Sequence, residues 1–479
     1  MKKLTALMLL FASVSAFAQT FPVNNLQVNG NSSFAGSAAF SIGPTMPTAT
    51  TGSSSLQGAT TQFVQNSLAA SGFAPLFSPS FSGTPAAPTA TIGSNSTQIA
   101  TTAFVANHDH CTSILDFGGN NSGAGDNTAA FQAVLSAEPS GQKCVFFPVG
   151  KYRFTSQVVY TVASASDSIT IEGKGAEKTV LYWPNGNGLK INVNGTTNLV
   201  HIRDLSFTTG ATNTGSGILI NQLASSISFP DVTISDISNV VLRGDDGFNQ
   251  TFYWQTGIEI SGVSGYNFVG DTIYGATTSA GQGVYIHGTS SLPPVVFNFI
   301  GGVMNYLSVG LNYGNYVQGV SMTAMNMGPV ASVVFSASGL SNTQSQLSIT
   351  NSQFWCTADC INLGTFIAPM NISNNLFEIA ASATGLFLNP GSLFSVTGNT
   401  FLGLTSNTAN TGIDVVNMST FNNQNSGVIS GNMFFGLFHP IYLDTNSSNI
   451  NVQSNAYRNS GGTNVTNLGS GNTIGGGSQ

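Results

Sequence analysis

Along most of this chain apolar side chains come in short runs that alternate with Asn, Ser, Thr and Gly, the period-two habit of strands. One stretch breaks that habit. Asp126 offers a carboxylate to the free N–H groups that open a helix, and Ala130, Phe131, Val134 and Leu135 then fall on one helical face. Pro139 and Gly141 stop that helix after about three turns. An apolar run follows, Cys144 to Phe147, then a Pro148-Val149-Gly150 turn and an alternating strand from Lys151 to Phe154. One short amphipathic helix ahead of a long run of strands is expected to cover the open end of their stack, which would otherwise pair with other chains.

Beyond the helix the strands acquire a register, apolar-x-x-Asn-x-aromatic. It is anchored at Ile372-Asn375-Phe377, Val396-Asn399-Phe401, Ile429-Asn432-Phe434 and Val452-Asn455-Tyr457, with Ile349 to Phe354 as an earlier turn that carries Ser352 in the Asn place. The first positions, Ile349, Ile372, Val396, Ile429 and Val452, lie 23, 24, 33 and 23 residues apart. A step near 23 suits one coil of three short strands, and the step of 33 implies a lateral loop near Thr405 to Asn410. Each position has a physical role: inward Ile or Val stacks on its equivalent one coil away, at about 4.8 Å. Asn suits a tight left-handed corner, and aligned Asn side chains can hydrogen-bond along the stack. Upstream, Ile169 to Glu172, Leu189 to Val193, Val200 to Phe207, Gly217 to Ile220, Val232 to Ile237 and Gly257 to Ile260 continue the strands less regularly. A sandwich would space its strands more closely and join them by hairpins. The pattern predicts an all-β parallel β-helix of roughly 13 to 15 coils.

The chain opens differently. Lys2 and Lys3 precede an apolar run from Leu4 to Val14, and Ala16-Phe17-Ala18 offers a small-x-small cleavage pattern, which reads as a secretory signal peptide over residues 1–18. Residues 19–110 hold little charge and no steady helical period. They do hold a repeat. Phe40-Ser41, Pro47-Thr48-Ala49-Thr50, Gly52-Ser53, Gln57, Ala59-Thr60-Thr61 and Phe63-Val64 recur, 41 residues on, from Phe81-Ser82 to Phe104-Val105. A unit with so few apolar residues needs neighbouring chains to bury Phe63, Val64, Phe104 and Val105, unless it is a flexible linker. The expected plan is therefore a signal peptide at 1–18, a stalk over 19–110, the β-helix over 111–460 and a poorly ordered Gly/Ser-rich tail over 461–479.

Composition narrows the partners. Only 6% of residues are charged and the formal net charge is −7, so nothing supplies the basic stripe a nucleic acid needs. No later run is long and apolar enough to span a bilayer, and an exported chain is expected. Four cysteines allow three pairings: Cys356 and Cys360 are close enough to bridge one turn, and Cys111 and Cys144 flank the helix. No His or Cys pair stands at ligand spacing, so neither a metal nor a cofactor is expected.

Two family resemblances follow. Asp116-Phe117-Gly118, the helix from Asp126 to Gln132 and Pro148-Val149-Gly150-Lys151-Tyr152 resemble the N-terminal cap and first coils of the pectate-lyase superfamily. That likeness implies a right-handed parallel β-helix behind a capping helix, and leaves its chemistry open, since fold does not settle function. The second repeat copy, SGTPAAPTATIGSNSTQIATTAFV, resembles the short repeat in the shafts of bacteriophage tail fibres. It implies an extended stalk, a homotrimer, phage tail proteins as partners and a virion location. The signal peptide fits that location poorly. A secreted pectin-type enzyme or a non-catalytic adhesin is the alternative.

Hydrolysis of a polysaccharide needs two carboxyl groups flanking the glycosidic bond. The densest group of candidates is Arg243-Gly244-Asp245-Asp246-Gly247 with Phe248, Phe252, Tyr253 and Trp254, followed by Glu259 and Asp271. Asp245, Asp246, Glu259 and Asp271 are the expected catalytic acids, with Tyr253 and Trp254 stacking a sugar. Trp355, with Asp359 and Glu378 on successive coils, is a second binding candidate. Against polygalacturonase-type hydrolases, Asp245-Asp246 matches the Asp pair, His287-Gly288 only loosely matches a Gly-His-Gly, and no Arg-x-Lys is present. Pectate lyase proper usually needs calcium-binding acids and an arginine or lysine base, and Arg243 is the only basic residue near an acidic cluster, so classical lyase chemistry is not expected. The expected role is to bind, and where catalytic to depolymerise, host surface polysaccharide.

Overall fold

The computed structural model describes residues 49–50, 60–70 and 111–475, apart from 139–140, 163–166, 196, 227–233, 342–345, 365–366, 368, 390–392, 405–408 and 417–425. Two units divide the chain, residues 1–88 and 89–479. In the first, Thr61–Ala70 is a helix whose start is fixed by Thr60, its Oγ1 accepting the Phe63 N–H at 3.0 Å. The lack of helical period expected over 19–110 does not hold there. The signal peptide, most of the first repeat copy and the whole of the second lie outside the described residues.

The second unit is a parallel β-helix. Its strands join three stacks by parallel pairing alone. The first face begins with Thr112–Ser113, Gln142–Phe146 and Ser168–Glu172. The second begins with Ser122–Asp126, Gly150–Arg153 and Thr179–Trp183. The third begins with Val158–Thr161, Leu189–Val193, Thr214–Gln222 and Trp254–Ser261. The first face stacks fourteen described strands, from Thr112–Ser113 to Thr473–Ile474, in line with the 13 to 15 coils expected, and the N-terminal coils are the longer ones. Val158 pairs with Leu189 and Ile218 with Ile258, whereas the corner residues of later coils lie 23 or 24 apart. Nor does the ladder stop at residue 460: Val465–Asn467 and Thr473–Ile474 pair onto the coil before them.

The helix falls over Thr128–Ala137 and buries Ala130, Phe131, Val134 and Leu135, as its period demands. Asp126 accepts from the Thr128 N–H and O–H and from those of Thr155, at 2.8 to 3.2 Å. Burial works against that carboxylate's charge, and the hydrogen bonds from Thr128 and Thr155 outweigh it, so its pKa is lowered. Phe131 lies 5.9 Å from the Phe147 ring and 6.3 Å from that of Phe154. The cysteines pair as Cys111–Cys144, beside the helix, and Cys356–Cys360.

The C-terminal coils carry the ladder that their sequence register implies. Phe354, Phe377, Phe401, Phe434 and Tyr457 stack with ring centroids 4.9 to 5.4 Å apart. Beside them the backbone N–H of Ser352, Asn375, Asn399 and Asn432 each donates to the side-chain oxygen of the Asn one coil on, at 2.9 to 3.0 Å. Each ladder Asn also donates from Nδ2 to a carbonyl of the preceding coil: Ile349, Ile372, Val396 and Ile429 in turn, all at 2.9 Å. In one respect the expectation changes. The left-handed residue is the one before each ladder position (Asn351, Asn374, Gly398, Gly431 and Ser454), and the Asn itself supplies amide chemistry.

Asp271 holds the equivalent corner place nearer the N-terminus. It follows Gly270, whose φ is +67°, is 3% exposed, and its Oδ1 accepts the Val240 N–H at 2.9 Å. Oδ2 therefore stands where the ladder Asn residues have their amide nitrogen, and it is buried without a partner. Burial raises the Asp271 pKa well above the carboxylate norm, with the Asp236 charge adding to it and the Val240 hydrogen bond opposing. Its contribution to stability is full below about pH 4, the unfolded value, and is lost as pH rises through the folded value. Asp271→Asn restores a donor. It is expected to stabilise the fold by about 1–2 kcal/mol at neutral pH and hardly at all near pH 3, read from urea midpoints at the two pH values.

Candidate functional site

The acidic loop joins the second face to the third, and its charges are spent on holding it. Arg243, at the end of Ser235–Gly244, donates from Nε and Nη2 to Glu177 at 3.0 and 2.5 Å, and its guanidinium lies 5.0 Å from the Phe248 ring centroid. Asp245 accepts from Lys151 Nζ at 2.6 Å and from the Thr208 O–H at 3.2 Å. Asp246 turns inward along the loop, its Oδ2 accepting the backbone N–H of Thr251 and Phe252 at 2.9 and 3.1 Å. The pair thus braces the loop, with one carboxylate anchored to the second face and the other closing the turn.

Two expected site residues are inside the coil. Trp254 is 3% exposed, donates its indole N–H to the Phe207 carbonyl at 3.2 Å, and meets Trp183 edge-on at 6.2 Å. Asp271 is the corner acid already described. Tyr253 stays half-buried at the start of the third face, against Gly281, where a Cβ would come within 3.0 Å of its ring. Trp355 is 42% exposed on the second face and sits in register with Glu378, so the face sharing expected of those two is present. Asp359 instead accepts from Asn362 Nδ2 and the Thr384 N–H, beside the third face. The four carboxylates Asp245, Asp246, Glu259 and Asp271 share no hydrogen-bond partner.

Glu259 keeps company suited to proton transfer. It projects from Trp254–Ser261 on the third face, between the coil that carries Ser216 and the coil that carries His287. Ser216 donates its O–H to Glu259 Oε2 at 2.6 Å, and His287 Nε2 lies 3.2 Å from Oε1. An ionised carboxylate only accepts, so that imidazole nitrogen carries the proton. The His287 hydrogen bond holds Glu259 below the usual carboxylate range against the pull of burial, with help from Ser216 and the Lys190 charge. Tyr285 stacks on His287 at 4.4 Å, and burial and then the Glu259 charge raise its phenol. The arrangement presents an oriented imidazole and a fixed negative charge at a solvent-facing strand surface, parts that general acid–base chemistry uses.

His287 was visible in sequence only as half of a loose motif. Its partner is 28 residues back, one coil away, and that spacing is the signal that could have joined them. A second acid was missed outright. Asp414 lies in register between Phe387 and Tyr442 on the same face, and burial, then the charges of Asp444 and Asp359, push it up to about 6.

Residues 111–295 match the family model described as rhamnogalacturonase A/epimerase, pectate lyase-like. No curated protein matches the chain in sequence. Solved structures similar to it include Geobacillus virus E2 ORF18, at 16% identity over 64% of this chain and 62% of that one, with a TM-score of 0.40. The Acinetobacter phage vb_AbaP_AS12 gp42 tailspike is similar at 13% identity over 76% and 62%, with a TM-score of 0.46. The mannuronan C-5 epimerase AlgE4 A-module of Azotobacter vinelandii is similar at 14% identity over 76% and 100%, with a TM-score of 0.42. The chain thus spans 62% of the length of each viral structure.

Proposed function

We propose that this chain is a tail-fibre or tailspike-like protein of a phage or prophage, assembled as a homotrimer, that holds host surface polysaccharide on the third face of its β-helix. The observation that carries the polysaccharide reading is the Glu259 cluster: an ionised carboxylate joined to Ser216 and His287 on a lateral strand surface, with the Tyr285 ring beside it. Sugars are read by such mixtures of hydroxyl, imidazole and aromatic groups on a rigid scaffold. The 41-residue repeat supports the fibre assignment and the trimer. The oriented dyad favours glycan cleavage over passive binding.

Incubating the purified protein with capsular polysaccharide or lipopolysaccharide from the host, and measuring both co-sedimentation and new reducing ends, tests the reading. Binding with a steady release of reducing ends is expected. A protein that binds none of these polymers would overturn it. The lysine-led apolar start, Lys2 to Val14, favours a second reading, a secreted bacterial enzyme or adhesin. Recovery of the protein from culture medium, and never from phage particles, would select that one.

A further inference from the structure

The third face carries an outward row in which aromatic and Asx residues alternate coil by coil. Register partners run Glu259 to Tyr285, Tyr285 to Asn312, Asn312 to Phe335 and Phe335 to Asn362. They continue from Asn362 to Phe387, Phe387 to Asp414 and Asp414 to Tyr442. Tyr285, Phe335, Phe387 and Tyr442 thus fall on every second coil, with Asn312, Asn362 and Asp414 on the coils between. All seven are half-buried. A buried row would be core, and scattered surface rings would need no explanation; half-exposed rings at a fixed interval are neither.

The interval has a chemical meaning. Coils are stacked about 4.8 Å apart, so like positions in the row repeat about every 9.6 Å. In an extended polymer of pyranoses joined equatorially through positions 1 and 4, each ring is flipped relative to the last. A disaccharide of such a polymer is about as long as two coils. Alternate sugars then present the same apolar face, at the spacing of the four rings, while the sugars between them meet the amides of Asn312 and Asn362. Asn312 donates to Gln282 Oε1 at 2.8 Å and Asn362 to Asp359 Oδ2 at 3.0 Å, which fixes each amide with its oxygen left to accept from a sugar hydroxyl. Charge narrows the polymer further. No Lys or Arg stands between Arg243 and Arg458, while Glu259 and Asp414 both lie in the row, so a polyuronate would meet like charge at Glu259 and again at Asp414 with no cation from the coils between.

We infer that the row binds a neutral β-1,4-linked hexose or N-acetylhexosamine chain laid along the solenoid axis, stacking every second sugar on Tyr285, Phe335, Phe387 and Tyr442 and leading one end to Glu259 and His287. The inference rests on the polysaccharide reading above and adds the linkage, the charge and the direction of the chain.

Calorimetry with size-defined oligosaccharides tests it. The probes are β-1,4-linked glucose and N-acetylglucosamine series from tetramer to octamer, an α-1,4-linked glucose series and a β-1,4-linked mannuronate series. Affinity for the neutral β-1,4 probes is expected to rise in steps of two sugars, and to fall about fivefold to tenfold for each of Phe335→Ala and Phe387→Ala. Phe335→Leu, which keeps apolar volume, should lose stacking while leaving the thermal midpoint near wild type. A preference for the α-linked or the mannuronate series would overturn the inference. So would binding that ignores Phe335 and Phe387 and is lost on Trp355→Ala; in that case the polysaccharide reading survives on another face. Failure to bind any of these probes or any host polysaccharide would remove both.

Discussion

Asn399→Leu should destabilise the β-helix by about 3–5 kcal/mol, because a buried corner loses its amide while its neighbours keep theirs. Asn399 is 1% exposed and its side chain works in both directions. Its oxygen accepts from the Asn375 backbone N–H at 2.9 Å and from Asn375 Nδ2 at 3.0 Å. Its Nδ2 donates to the carbonyl of Ile372 at 2.9 Å, to that of Thr397 at 3.2 Å and to Asn432 Oδ1 at 3.0 Å. Leucine fills nearly the same volume and meets none of these groups: the Asn375 backbone N–H loses its acceptor, at about 1–3 kcal/mol for a buried group, while Asn375 Nδ2, Asn432 Oδ1 and the Thr397 carbonyl each fall back on one remaining partner. Coils interact mainly with their neighbours, so the loss should also appear as faster hydrogen exchange at the Asn375 amide. Ser373→Ala, on the outer surface two residues earlier, should change stability by no more than about 0.5 kcal/mol. If both substitutions had that small effect, the ladder would not be what holds the coils in register.

Glu259→Gln is the second large effect, expected on turnover rather than on folding. The substitution keeps the size of the side chain and its contacts with Ser216 and His287, and removes the charge that selects the Nε2 proton of His287. Chain shortening should fall by about a hundredfold to ten-thousandfold, the range for loss of a positioned acid–base group, with polysaccharide binding within about twofold of wild type. His287→Ala should fall in the same range, and the double variant little further, since the two act as a unit. Asp246→Asn should differ: its carboxylate holds the N–H groups of Thr251 and Phe252, so any effect is expected in loop order and binding. Undiminished shortening in the Glu259 and His287 variants would place the chemistry elsewhere, and Asp414, flanked by Phe387 and Tyr442, would be the next residue to change.

What could be read from sequence divides along a physical line. Features set by local period were legible. The helix buried the four residues its spacing named, and the apolar-x-x-Asn-x-aromatic register became a ladder whose rings and amides lie one above another. Features set by the length of a coil were not. Glu259 and His287 are 28 residues apart and Lys151 and Asp245 are 94, and only the stacking of unequal N-terminal coils shows which acids meet which partners. Composition pointed to Asp245, Asp246 and Trp254 because acids and rings are dense there. Density along the chain is not convergence in space: Lys151 takes one acid, the loop backbone the other, and the core the tryptophan. Asp271 shows the same limit from inside, since an Asp in an Asn place looks catalytic until its burial is seen.

The surface that the glycan occupies decides between these roles. The most direct measurement is a structure of the Glu259→Gln protein with a bound fragment of the host polysaccharide long enough to span several coils. Sugar density is predicted along the third face, parallel to the solenoid axis, with one ring against Tyr285 and a glycosidic oxygen within hydrogen-bond reach of His287. Density on the second face around Trp355 and Glu378, or between subunits with the third face bare, would contradict it.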